Sequence, residues 1–235
     1  MQNIQNKVAL ITGASKGIGY GIAEALLKQG VKVAITSRSQ KRADEAAKKL
    51  GPEVLAIAAD VKDFVSQQKA VEQTIAKFGQ LDFLIANAGV GHFAPIDEMT
   101  PELWNDTIDT NLTGVFYSVK AAIPALKKSE GYIITISSLA GTNFFPTASA
   151  YNASKFGLTG FSQAIMLDLR QYGIKVTTIM PGSVATHFAD HTPDAEKDAW
   201  KIQPEDIGQM VTDLFQMNPR TLPSKVEVRP LKTSN

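Results

Sequence analysis

Short apolar runs rich in β-branched residues recur along the chain: KVALIT (7–12), VKVAIT (31–36), VLAIA (54–58), LDFLIA (81–86), GYIITIS (131–137), IKVTTIM (174–180) and KVEV (225–228). Their continuous rather than alternating apolar character predicts strands buried on both faces, as in a parallel sheet. Between them lie longer segments with helical spacing. In the first, Ile18, Ile22, Ala25, Leu26 and Gln29 form a core stripe, and Gly30 is placed to end the helix. Strands alternating with helices predict right-handed crossovers and an α/β, doubly wound sheet with helices on both sides. At 235 residues, without repeats or linkers, the chain reads as one domain spanning 1–235.

Two segments stand out from this pattern. TPELWNDTIDTNLTGVFYSVKAAI opens with a Thr-Pro start signal at 100–101 and reads as a helix carrying Asn111 near its middle. Asn disfavours helix interiors, so Asn111 either makes a specific contact or is a surface or kink-forming residue. The stretch from Pro181 to Pro204 has neither period and follows a strand, the place where ligands sit in such sheets. It reads as a lid or as a plain connecting loop.

Composition narrows the classes. Hydrophobic residues make up 44% and charged residues 20%, with 24 basic against 23 acidic side chains and a net charge of +1. That balance gives no field to draw in nucleic acid or anionic lipid. The absence of Cys removes disulfides, thiolate metal sites and cysteine nucleophiles. The opening apolar run is too short for a signal peptide, and no run is long enough to cross a membrane, so the expected location is the cytoplasm.

The first strand leads into TGASKGIG, which places Gly13, Gly17 and Gly19 at a strand-to-helix turn. There the backbone can approach a phosphate held by helix N–H groups. The second strand ends in Thr36, Ser37, Arg38 and Ser39, with no acid before Asp44. A carboxylate at that point would favour NAD by binding the adenosine ribose. Arg38, with Lys16 from the first turn, instead suits a 2′-phosphate, unless both are simply solvated cations. The cofactor expected is NADP(H).

Tyr151 and Lys155 stand one helical turn apart, so phenol and ammonium emerge on one face. With five Tyr and 19 Lys, about 0.4 such pairs arise by chance, and the pair needs company. Ser138 supplies some, following the apolar strand 131–137 and lying thirteen residues before Tyr151.

Taken together, TGASKGIG (12–19), Asp60-Val61, ANAG (86–89), Asn111, Ser138, YNASK (151–155) and PGSVAT (181–186) resemble the short-chain dehydrogenase/reductase family over essentially the full chain. Ala86 stands where the family commonly has a second Asn. The resemblance implies a seven-stranded Rossmann sheet and a catalytic tetrad of Asn111, Ser138, Tyr151 and Lys155. In that scheme Tyr151 is the acid, Ser138 bonds the carbonyl oxygen, Lys155 together with the positive oxidised nicotinamide lowers the phenol's pKa and also contacts the nicotinamide ribose, and Asn111 holds a water that links Lys155 to bulk solvent as a proton relay. It also implies cofactor contacts from Gly13, Ser15, Lys16, Gly17, Ile18 and Gly19, and from Ser37 and Arg38. Asp60 and Val61 would line the adenine pocket, and Asn87, Ala88 and Gly89 the adenosine ribose and phosphates. Pro181, Gly182, Val184 and Thr186 would lie beside the nicotinamide. Phe93, Leu139, Phe144, Phe145 and Phe188 are expected to form an apolar substrate wall, or else to fill the core. His92 either lines the substrate mouth or is exposed. His187 and His191, spaced i,i+4, lack a third ligand, so no metal is expected.

The expected activity is NADPH-dependent reduction of a ketone or aldehyde, reversible, with 3-oxoacyl-carrier-protein reduction as the rival. A non-catalytic NADP(H) sensor on the same fold is the reading from another class. Partners would be a small carbonyl substrate and copies of the chain in a homotetramer or homodimer, through the helices bearing Asn111 and Tyr151, with neither nucleic acid nor membrane.

Overall fold

In the computed structural model, which describes residues 2–233, the seven runs form one parallel sheet. Its strands are β1 (Val8–Ile11), β2 (Lys32–Ser37), β3 (Leu55–Ala58), β4 (Phe83–Ala86), β5 (Tyr132–Ile136), β6 (Lys175–Pro181) and β7 (Lys225–Val228), in the order β3-β2-β1-β4-β5-β6-β7. The helices are α1 (Gly17–Lys28), α2 (Gln40–Leu50), α3 (Phe64–Phe78), α4 (Pro101–Ile108), α5 (Gly114–Ser129), α6 (Ser149–Leu169) and α7 (Pro204–Gln216).

Every residue of β1, β4 and β5 is buried, which explains their unbroken apolar runs. Helices cover both faces. On one, Ile11, Ile35, Ile85 and Ile134 pack with Ile22 and Leu26 of α1 and Ile207 and Val211 of α7. On the other, Leu10, Leu84 and Ile133 pack with Val71 of α3, Val119 and Leu126 of α5 and Leu158 of α6. Each fully buried aliphatic side chain of this kind is worth about 1.5–3 kcal/mol relative to exposure. Among the described residues no helix is long and apolar enough to cross a membrane.

Two departures from the predicted elements have local causes. The fourth strand starts at Phe83 rather than Leu81 because the Asp82 carboxylate accepts from the Val8 amide and Lys7, both at 2.8 Å. The predicted helix from 100 onward is two helices joined by a π-helical turn, Asp109–Thr113, in which Gly114 N–H reaches back to the carbonyl of Asp109. That turn contains Asn111.

The strand order reverses between β1 and β4. A crevice opens there at the carboxyl ends of the strands, where doubly wound sheets bind ligands.

Candidate active site

The turn after β1 is shaped by close backbone approach. Gly13 has φ +66°, and a Cβ there would lie 2.7 Å from Cα of Ala88, so only glycine fits. Thr12, which no spacing in the sequence marks out, fixes the neighbouring strand end: its Oγ1 accepts from the amides of Asn87 (3.0 Å) and Ala88 (3.1 Å). Asn87 Nδ2 in turn donates to the carbonyls of Thr12 (2.9 Å) and Gly13 (3.2 Å). Asn87 therefore holds the glycine turn in shape. At the start of α1, Lys16 is the N-cap and its side chain makes no cap hydrogen bond. The first-turn N–H groups thus have no side-chain acceptor, and the helix dipole adds positive character. Shape and donors both fit a dinucleotide pyrophosphate.

At the carboxyl end of β2 Arg38 is exposed and Ser37 is buried, with Ser37 Oγ accepting from Ser39 N–H at 3.5 Å. Across from it, Asp60 Oδ1 accepts from Lys62 N–H at 2.9 Å. Val61 is buried against Gly114. Arg38 is near enough to Lys62 to oppose its charge, although Asp106, bonded to Lys62 Nζ at 2.8 Å, raises the Lys62 pKa on balance.

Ser138, Tyr151 and Lys155 converge beyond β5. Tyr151 and Lys155 share one face of α6, with Lys155 Nζ 5.7 Å from the phenol ring centre. Ser138 starts a short 3₁₀ turn (Leu139–Gly141), its Oγ accepting from Ala140 N–H at 3.1 Å and donating to Pro181 O at 3.4 Å. Burial pushes the Tyr151 phenol up to about 12, partly offset by the neighbouring Ser138 hydroxyl, and brings Lys155 down to about 8. In the chain itself burial is the first cause of both shifts. The Lys155 ammonium donates to Ile136 O at 3.0 Å, and loss of solvent disfavours the charged form of both groups.

Asn111 is fully buried. Its Nδ2 donates to Val90 O (2.8 Å) and Ser154 Oγ (3.1 Å), and its Oδ1 accepts from Val90 N–H (2.8 Å). Its amide is thus committed to fixing the 89–91 loop and α6. The π turn that carries it is a feature that often marks functional sites.

Around the phenol the aromatic residues divide. Phe93 and Phe188 flank the Tyr151 ring, with centroids at 5.4 and 5.5 Å. Phe145 lies beside Phe93 at 6.0 Å. Phe144 is 82% exposed and stacks on Phe156 instead, outside this wall. Leu139 packs against Gly182. A cavity of about 290 Å3 lined by Gly91, His92, Phe93, Leu103 and Ala189 adjoins the wall, and His92 is half-buried in it. Its Nε2 pairs with Asp106 at 3.0 Å. A larger groove of about 540 Å3, bordered by Lys32 and Val54, lies at the amino ends of β2 and β3, the opposite edge of the sheet from Tyr151.

The 182–203 segment covers the site. Val184 bridges to Ile202, Thr186 lies over Gly17, and Phe188 rests against Gly91, where a Cβ would collide with its ring. His191 Nε2 pairs with Asp198 at 2.6 Å.

The family model for short chain dehydrogenases matches residues 7–197. The chain is 38% identical over 196 residues to 3-oxoacyl-(acyl-carrier-protein) reductase FabG of Escherichia coli, covering 83% of this chain and 80% of that one. The structure of an alcohol dehydrogenase from the archaeon Thermococcus sibiricus, complexed with 5-hydroxy-NADP, aligns with a TM-score of 0.88 at 28% identity, over 97% of this chain and 98% of that one. The structure of 3-ketoacyl-(acyl-carrier-protein) reductase from Brucella melitensis, complexed with NADH, gives 0.88 at 27% identity with the same coverage, 97% and 98%.

Proposed function

The chain belongs to the short-chain dehydrogenase family, and we propose that within it the protein is an NADPH-dependent reductase of ketones or aldehydes. The observation that supports this most is the meeting of Ser138, Tyr151 and Lys155 at the end of β5, beside the glycine turn and under Phe188.

When bound, NADPH supplies the hydride to the carbonyl carbon. Tyr151 passes its phenolic proton to the carbonyl oxygen, and Ser138 donates a hydrogen bond to the same oxygen, where charge grows. A phenol with a pKa near 12 is fully protonated at neutral pH, which suits the reducing direction. The reverse direction needs the phenolate, which a charged Lys155 would stabilise. Phe93 and Phe188 exclude water around the reacting carbonyl. Gly13, Ser15, Lys16, Gly17, Ile18 and Gly19 would hold the pyrophosphate end, Asp60, Val61, Asn87, Ala88 and Gly89 the adenosine, and Pro181, Gly182, Val184 and Thr186 the nicotinamide. Exposed Arg38 and the lack of a carboxylate at the end of β2 support the phosphorylated cofactor.

Similarity to a 3-oxoacyl-(acyl-carrier-protein) reductase favours a second reading, in which the carbonyl arrives on an acyl carrier. Following NADPH absorbance with a panel of small ketones and with acyl-carrier-bound 3-oxoacyl chains tests both. Turnover of the small ketones supports the first reading, and turnover confined to the carrier-bound chain supports the second. Binding of NADPH with no turnover in either set overturns both in favour of a sensor.

Assembly into a homodimer or homotetramer is supported by exposed apolar side chains on α5 and α6, Phe116 and Leu167 among them. Light scattering that finds only monomer would refute it.

A further inference from the structure

Residues 182–203 have little apolar core of their own, yet they carry the two side chains that close the site, Thr186 over Gly17 and Phe188 over Gly91. Main-chain bonds join the two ends of the segment: Ala185 N–H donates to Ile202 O at 2.9 Å and Ile202 N–H to Ser183 O at 3.1 Å. Between these ends the chain turns at Ala189, a non-glycine residue in the left-handed region at φ 53°, a conformation that persists only where surrounding contacts impose it.

The side-chain bonds of this segment centre on Asp198, which is only 4% exposed. Its Oδ2 accepts from His191 Nε2 at 2.6 Å and from Asp194 N–H at 3.0 Å, and its Oδ1 from Lys201 Nζ at 2.7 Å. Its carbonyl accepts from Gln203 Nε2 at 3.2 Å. One carboxylate therefore gathers His191, just past Phe188, and Lys201, just before the returning Ile202. Lys201 foremost, then His191, holds the Asp198 carboxyl far below the usual range, so it stays ionised at any working pH. Among the described residues, none from 187 to 201 belongs to the two apolar clusters that stabilise the sheet. The network orders the cover, not the core.

We propose that Asp198 is a positioning residue, the latch that keeps Thr186 and Phe188 seated over the cofactor and substrate cleft. The proposal rests on the functional reading above, since it takes the cleft to be the dinucleotide site. A latch of this kind acts on binding, because it touches neither the phenol nor the reacting atoms. Replacing its carboxylate weakens three charge-assisted bonds, from His191, Asp194 N–H and Lys201, and leaves the cover free to sample open positions.

The test compares wild type, Asp198→Asn and Lys201→Met by NADPH fluorescence titration, steady-state kinetics with a ketone the wild type reduces, and thermal melting. For Asp198→Asn the expected result is NADPH Kd raised about tenfold with ketone KM raised in step. The kcat at saturation should stay within about twofold and the melting midpoint within about 3 °C. Lys201→Met, which removes one ion pair and keeps the carboxylate, should show a smaller rise in Kd. Unchanged Kd and KM in both variants would overturn the latch. So would a loss of kcat that follows a large drop in melting midpoint with KM unchanged, which would mark a structural role. A wild-type protein that neither binds NADPH nor reduces any ketone would defeat the functional reading instead.

Discussion

The ammonium of Lys155 donates to the carbonyl of Ile136 at 3.0 Å while the side chain around it is almost wholly buried. Burial lowers its pKa to about 8, whereas in the unfolded chain it titrates near 10.5. Between these values the unfolded state binds more protons than the folded one, so this group makes stability rise with pH from 8 to 10.5; below 8 the cost of burying the charge is complete. That cost is on the order of 3 kcal/mol. Lys155→Met should therefore raise stability at pH 7 by about 1–3 kcal/mol while abolishing turnover. Its advantage over wild type should shrink towards pH 10. Urea unfolding at pH 7 and 10 checks the sign, and a variant less stable than wild type at pH 7 would contradict it.

Tyr151 lies between Phe93 and Phe188 with its hydroxyl beside Ser138. Removing only that oxygen leaves the aromatic packing in place. Tyr151→Phe should lower kcat by about 10²–10⁴-fold, the range for loss of a general acid, with NADPH binding unchanged within error. Single-turnover kinetics alongside fluorescence titration separates the two quantities. Retained turnover would remove Tyr151 from the chemistry.

The seven strands and the glycine turn were legible in the sequence because each depends on local character: an apolar run long enough to cross the sheet, or a backbone position that tolerates no side chain. Tyr151 and Lys155 were legible for the same reason, since the helical repeat alone brings them to one face. What the sequence could not show depends on groups distant in the chain. Thr12 becomes an anchor only when β4 pairs with β1 and delivers the amides of Asn87 and Ala88 to its hydroxyl. Asn111 announced itself as an oddity within a helix, but its partners Val90 and Ser154 come from a loop and another helix. The effect of burial on Tyr151 and Lys155 is out of reach of the sequence for a related reason. Spacing places the charge near the phenol, but burial, which sets both shifts, is a property of the folded whole. Phe144 shows the limit of composition: an aromatic near the site in sequence, it turns to Phe156 and solvent.

Arg38 is exposed at the carboxyl end of β2, and no carboxylate stands in the stretch from Thr36 to Ser39. Arg38→Asp should remove the forked donor for a 2′-phosphate and place a charge there that repels it and accepts from a ribose hydroxyl. The expected result is a fall of about 10²-fold or more in the ratio of kcat/KM for NADPH over NADH, most of it from the NADPH value. Parallel assays with both cofactors measure this, and an unchanged ratio would refute the assignment.

Gly91 and Phe188 make a further prediction about how the cover seats. Gly91 is absent from the glycines with positive φ, so its backbone accepts alanine without strain. The added methyl meets the far end of the Phe188 side chain and comes within 3.0 Å of the Phe93 ring edge. A ring at the end of a loop can move, whereas the sheet cannot, so the change should displace the cover rather than unfold the protein. Gly91→Ala should raise ketone KM about tenfold and move the melting midpoint by less than about 3 °C. Phe188→Ala should raise KM by a similar factor, since it removes the same contact from the other side. The double variant should then be no worse than either single one, because the seat is lost only once. KM values for the four proteins, measured at saturating NADPH, decide it. Strictly multiplicative losses would show that Gly91 and Phe188 act on the substrate independently.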